Sequence, residues 1–142
     1  ELTTEGGIDL LANRDHVAKA VATLRQGGIP TSIFIDPNPD QIKAAHAIDA
    51  AKVEIHTGTY CDAATSESKA RAFTDIVEAA KLAARLKLGI NAGHGLCYTT
   101  IQAFRGLSDI DEFSIGHSII SRAALVGMDR AVREMAALVE RL

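Results

Sequence analysis

Residues of catalytic type recur at one kind of place in this chain, in or just after short β-branched runs. Asp36 follows Ile33-Phe34-Ile35. Glu54, His56 and Thr57 lie in and after the run from Val53 to Ile55. Asn91, His94 and Gly95 follow Leu88-Gly89-Ile90, and Gly116-His117 follow Ser114-Ile115. Histidine titrates near neutral pH and suits proton transfer, while a carboxylate can hold developing positive charge. Glu54 and His56 alternate with Val53 and Ile55, so they share one face of a strand. A carboxylate on an inward face must be paired or functional, because burying a lone charge is expensive. Its structural reading is an ion pair with a lysine or arginine; its functional reading is a site carboxylate.

Two further segments suit ligand binding. In Asn91-Ala92-Gly93-His94-Gly95 a histidine sits between glycines, which permit positive φ and close backbone approach to a ligand. Ser114-Ile115-Gly116-His117-Ser118 reads as a strand, a glycine and the start of a short helix, whose exposed N–H groups can bind phosphate. A tight turn without a ligand is the plainer reading. Two other classes are carried alongside. His56, His94 and His117 with Glu54 could hold zinc and activate water, as in a metal-dependent hydrolase, although no HxH or HExxH spacing is present. A non-catalytic half-barrel interaction module is the other, and the polar strand ends argue against it. His16 and His46 read as partly exposed helix positions.

The elements that must position these residues alternate. A helix is predicted over about residues 13–26, with Val17, Val21 and Leu24 on one face and Gly27-Gly28 to stop it. A strand over 31–35 leads through a Pro- and Asp-rich turn into a second helix ending near Asp49. Val53–His56 is the next strand, closed by Thr57-Gly58. A long helix from Ser66 to Leu86 carries Phe73, Ile76, Val77 and Ala80 on one face. Leu88–Asn91 is a short strand and 92–95 its turn, followed by a helix with Ile101 and Phe104. Glu112–Ile115 is the last strand. A final helix over 128–141 places Met128, Ala131, Val132, Met135 and Val139 together.

Strands alternating with helices predict an α/β fold with a parallel sheet and right-handed crossovers. Both an open doubly wound sheet and part of a (β/α)8 barrel fit. A barrel takes about 250 residues, so four strand–helix units in 142 residues amount to about half of one. Such a half would have edge strands that invite pairing. At 47% hydrophobic and 23% charged, with formal net charge −3, the composition is that of a globular chain with no basic face for nucleic acid. No apolar run reaches the ~20 residues a membrane helix needs. Cys61 and Cys97 are too few for a disulfide scaffold, which makes a reducing cytoplasm the expected location. The start at Glu1 without Met, in a loop-like stretch, suggests that something upstream is missing.

These motifs resemble one family throughout the chain. Glu1-Leu2-Thr3-Thr4-Glu5-Gly6-Gly7, Ile33-Phe34-Ile35-Asp36, Val53-Glu54-Ile55-His56-Thr57-Gly58, Asn91-Ala92-Gly93-His94-Gly95-Leu96 and Ile115-Gly116-His117-Ser118-Ile119-Ile120 are similar, in order and spacing, to the C-terminal part of the pyridoxine 5'-phosphate synthase (PdxJ) family. The resemblance implies the C-terminal half or more of a TIM (β/α)8 barrel, about its last four β-α units, assembled into an octamer. It implies condensation of 3-amino-2-oxopropyl phosphate with 1-deoxy-D-xylulose 5-phosphate, giving pyridoxine 5'-phosphate, phosphate and water, without metal or organic cofactor. Carried over by motif, Thr3 would bind the deoxyxylulose phosphate, Glu54 would stabilise charged intermediates, and His94 would be the proton donor. Gly95, Gly116 and His117 would bind the aminoacetone phosphate. Ser114 stands where the family often has Asn, and Cys97 occupies a loop position of varied identity. The family's N-terminal half, with an Asn-x-Asp-His strand, a His- and Arg-rich loop and another catalytic Glu, is absent. The chain alone is therefore expected to be inactive.

Overall fold

Hydrophobic alternation in four short segments builds the sheet. In a computed structural model, which describes residues 6–142, the strands are β1 (Ser32–Ile35), β2 (Lys52–His56), β3 (Gly89–Gly93) and β4 (Glu112–Ser114). All pairs are parallel and the spatial order is β1-β2-β3-β4. Each strand is thus added beside its predecessor, without the reversal of order that marks a doubly wound sheet.

The helices are α1 (Arg14–Gln26), α2 (Pro39–Ala47), α3 (Gly58–Cys61), α4 (Ser66–Arg85), α5 (His117–Val126) and α6 (Met128–Val139). Asn38 caps α2 by accepting from the Asp40 N–H, with Pro39 in the first turn. Thr65 and Ser68 form a reciprocal capping box at the start of α4. Ile33, Ile35, Val53, Ile55, Ile90 and Ala92 are buried in one core with Ile42 and Ala45 of α2 and Ile76, Ala79 and Ala80 of α4. Register aligns Phe34 with Glu54, Glu54 with Asn91, and His56 with Gly93, so the sheet's other face is largely polar. There Lys52 reaches over Gly89 to Glu112 at 2.7 Å, and Asn91 Nδ2 donates to Glu112 at 3.3 Å. Beside β1, the Ile8 N–H donates to the Phe34 carbonyl.

Several expectations shift. The third strand runs to Gly93 rather than Asn91 because its glycines stay in the ladder. Four residues after β2 form α3, too short to show a helical period. Around Ile101 and Phe104 the chain forms a 3-10 helix (Thr100–Phe104), with Phe104 fully buried against Tyr60, Phe73 and Phe113. On α6, Ala131 and Met135 are buried, but Met128 and Val132 are 51% and 45% exposed. Leu24 of α1 is exposed as well. Those faces are broader than this core can cover. Among the described residues no helix is long and apolar enough to cross a membrane.

Phe104→Ala removes the hub of the aromatic cluster and should cost about 3–5 kcal/mol. Thr65→Ala removes a cap worth about 1 kcal/mol. Urea denaturation followed by circular dichroism should rank them in that order; equal losses would mean that the cluster is not the core's anchor.

Candidate active site

Several strand-end residues meet at one cleft of about 850 Å³, lined among others by Phe34, Glu54, His94, Gly95, Gly116 and His117, while Asp36, His56, Thr57 and Asn91 do not line it. Thr3 lies outside the described residues. The other five predicted site residues therefore converge, from β2, the turn after β3 and the start of α5.

Glu54 stands on β2 with its carboxylate above Gly93. A Cβ at position 93 would lie 2.3 Å from Glu54 Oε1 and 2.8 Å from the Ser114 Cβ, so only glycine leaves room. The ion pair that the structural reading required is not formed. Lys52, the cation on the same face, binds Glu112, and among the described residues Glu54 has no ion-pair partner. A half-buried, unpaired carboxylate facing a cleft is available to a cationic group.

His94 follows β3 with φ of 77°, and Gly95 has the same value. Left-handed backbone is costly for a residue with a Cβ, of order 1–3 kcal/mol, and such outliers cluster at functional sites. Thr57, fully buried at the end of β2, holds the turn. Its hydroxyl lies 2.8 Å from the Gly93 carbonyl and 2.5 Å from that of His94, and its N–H donates to Gly93 at 2.8 Å. The His94 ring is exposed and lies 4.9 Å, centroid to centroid, from that of His56.

His56 is only 4% exposed. Its Nδ1 lies 3.1 Å from Asp36 Oδ1, which also accepts the Gly7 N–H at 2.9 Å. Its Nε2 is buried without a hydrogen-bond partner. Gly58 is required beside it, since a Cβ there would come within 2.5 Å of Nε2 and 3.2 Å of the His94 ring. Asp36 and Thr57 are visible in the sequence as strand-end polar residues. Their supporting roles depend on cross-strand register and have no local signal.

Gly116 precedes α5 and offers no side-chain cap, so the N–H groups of the first turn have no side-chain acceptor, and Gly116, His117 and Ser118 line the cleft. The Ser118 hydroxyl donates to the Leu96 carbonyl at 2.9 Å, tying α5 to the loop after β3. Arg122 of α5 contacts Glu134 of α6 at 2.8 Å, and Tyr98 donates to the Ala131 carbonyl. The Arg122 guanidinium beside Glu134, with Arg130 on its other side, holds that carboxyl down at about 2.

His56, His94 and His117 do not converge as metal ligands. Among the described residues no group of three or more His, Cys, Asp or Glu side chains is placed to hold a metal ion.

A sequentially ordered parallel sheet with helices between its strands and polar side chains near their carboxyl ends defines an α/β protein. The chain belongs to the family described as pyridoxal phosphate biosynthesis protein PdxJ, which matches residues 1–141. It is 59% identical over 142 residues to the pyridoxine 5'-phosphate synthase of Desulforapulum autotrophicum, 56% over 139 to that of Desulfosudis oleivorans, and 51% over 140 to that of Geobacter metallireducens. These alignments cover 100%, 98% and 99% of this chain, and 59% of each relative.

Glu134 titrates with a sign that can be checked. Its lowered carboxyl means that the α5–α6 tie is at full strength above the ordinary value of 4.5 and is lost as pH falls through about 2. The acid limb of the urea midpoint should therefore be shallower in Glu134→Gln; superimposable pH profiles would count against this tie.

Proposed function

We propose that this chain contributes the aminoacetone phosphate side of a pyridoxine 5'-phosphate synthase. The reaction is condensation of 3-amino-2-oxopropyl phosphate with 1-deoxy-D-xylulose 5-phosphate to pyridoxine 5'-phosphate, phosphate and water. The observation that carries this reading is the Glu54 carboxylate, unpaired among the described residues, sharing one cleft with His94 and an uncapped helix start. Ring closure of two phosphorylated substrates demands proton transfers, a counter-charge for cationic intermediates and anion sites. His94 is the proton donor, exposed on a turn whose backbone is fixed. Glu54 stabilises the cationic intermediates. Gly95 and the N–H groups at Gly116 and His117 hold the phosphate of the aminoacetone substrate. Thr3 serves the deoxyxylulose phosphate. No metal or organic cofactor is assigned a part.

The strand order supports reading the four strands as about the last four units of a (β/α)8 barrel, as does the polar face that the sheet presents opposite the aliphatic core. Strands that complete the circle would supply the remaining acid–base groups. Self-association, to an octamer, and a cytoplasmic location belong to the same proposal.

The test is a steady-state assay with both phosphorylated substrates, on this chain and on the longer protein that carries it. The longer protein should turn over and the chain alone should not. In the longer protein His94→Asn, which tolerates left-handed backbone, should lower kcat by about 10²–10⁴-fold. Gly116→Pro should act mainly on KM for the aminoacetone phosphate. A longer protein that folds but makes no pyridoxine 5'-phosphate would refute the proposal.

A further inference from the structure

Two thiols beside the cleft have no part in the chemistry above. Cys61 ends α3, and Cys97 lies in the loop after β3 and lines the cleft. Both are half-buried and free. They meet at one hydroxyl: Thr100 Oγ1 lies 3.9 Å from Cys61 Sγ and 3.4 Å from Cys97 Sγ. The sulfurs can therefore be no farther apart than those two legs laid end to end. Cys61 also packs directly under Gly95, where an added Cβ would stand 2.9 Å from its own Cβ.

We propose that Cys61 and Cys97 are a hydroperoxide-oxidisable pair that closes an intrachain disulfide beneath the His94–Gly95 turn. The Cys97 thiolate attacks one peroxide oxygen and the O–O bond breaks, leaving Cys97 sulfenic acid and, after protonation, water. The Cys61 sulfur then attacks the sulfenic sulfur, and the departing hydroxide leaves as water with the Cys61 proton. Two thiols lose two electrons and one hydrogen peroxide becomes two waters.

The surroundings divide the two roles. Burial raises the Cys97 thiol, but hydrogen bonds from the side chains and backbone N–H groups of Thr100 and Thr99 together outweigh it and hold it at about 7. A large fraction is then thiolate at neutral pH, and its place in the cleft lining admits a small oxidant. Burial pushes the Cys61 thiol up, which suits it to wait as the resolving partner. A disulfide needs an S–S distance near 2.05 Å, so the sulfurs must close across the Thr100 hydroxyl. Cys61 is held in α3, so Cys97, in the loop after β3, is the side that must move.

The test uses the full chain, reduced, then treated with hydrogen peroxide at neutral pH and digested without reductant. Mass spectrometry should find a Cys61–Cys97 linked peptide, both thiols lost together and both restored by dithiothreitol. In Cys61→Ser, dimedone should trap a sulfenic acid at Cys97. In Cys97→Ser, Cys61 should stay a free thiol under the same dose. Thr100→Val should slow iodoacetamide alkylation of Cys97 at pH 7 about tenfold, as its thiolate is lost. Dimedone trapping at Cys97 in the wild type without the linked peptide would overturn the proposal. So would a disulfide formed only between chains, or two thiols that persist. These readouts are independent of the catalytic assignment.

Discussion

Thr57 is buried, and three of its contacts run to the last residue of β3 and the residue after it. Its N–H and hydroxyl engage the Gly93 carbonyl, and the hydroxyl also reaches that of His94. A buried carbonyl left without a partner costs about 1–3 kcal/mol, of the same order as the cost of His94's left-handed backbone. The Thr57 side chain, just after β2, thus stabilises the unfavourable conformation just after β3. The position of the His94 ring, and of Gly95 after it, depends on this link. Gly58 completes it by leaving room where a methyl group would strike the rings of His56 and His94. The Thr-Gly dipeptide is therefore as much a part of the site as the residues that face the cleft.

Glu54 illustrates a second constraint of the same kind. Its carboxylate occupies the space over Gly93 that a side chain on β3 would fill, and Lys52 crosses Gly89 in the same way one layer below. Two glycines in a five-residue strand weaken it locally. In exchange, long charged side chains from β2 lie across β3, and that of Lys52 reaches β4. Lys52 is thereby committed to Glu112, which leaves Glu54 without a cation among the described residues and so available to a ligand.

Much of this was legible in the sequence where the signal was local. Periodicity and turn residues placed all four strands and the long α4, and strand-end logic picked out Glu54, His94, Gly95, Gly116 and His117. The misjudged strand end has a physical cause. Ala92-Gly93-His94-Gly95 reads as a turn, but Gly93 is required inside the strand by a side chain 39 positions earlier, that of Glu54. The Asp36–His56 pair, the Thr57 staple and the shared hydroxyl of the two cysteines join residues 20 to 39 positions apart. No spacing rule within one element could show them. The exposure of Met128 and Val132 was illegible for a different reason: an apolar stripe shows what a helix could bury and not what lies opposite it.

The polar sheet face carries a remaining demand. Among the described residues two buried polar atoms lack partners, His56 Nε2 and Asn91 Oδ1, and both belong to side chains on that face. Buried polar groups in native proteins are almost always satisfied, so a concentration of exceptions on one surface points to what the surface faces. The helix-covered side, by contrast, is closed by aliphatic packing from α2 and α4. Under the proposed barrel, the polar face is the interior, and the groups to meet these atoms come from strands across the circle or from a bound substrate. An open sheet edge could be satisfied by any strand. A face with Lys52 and Glu112 already paired, Glu54 unpaired and two orphan acceptors or donors at fixed positions selects a partner by chemistry as well as by shape.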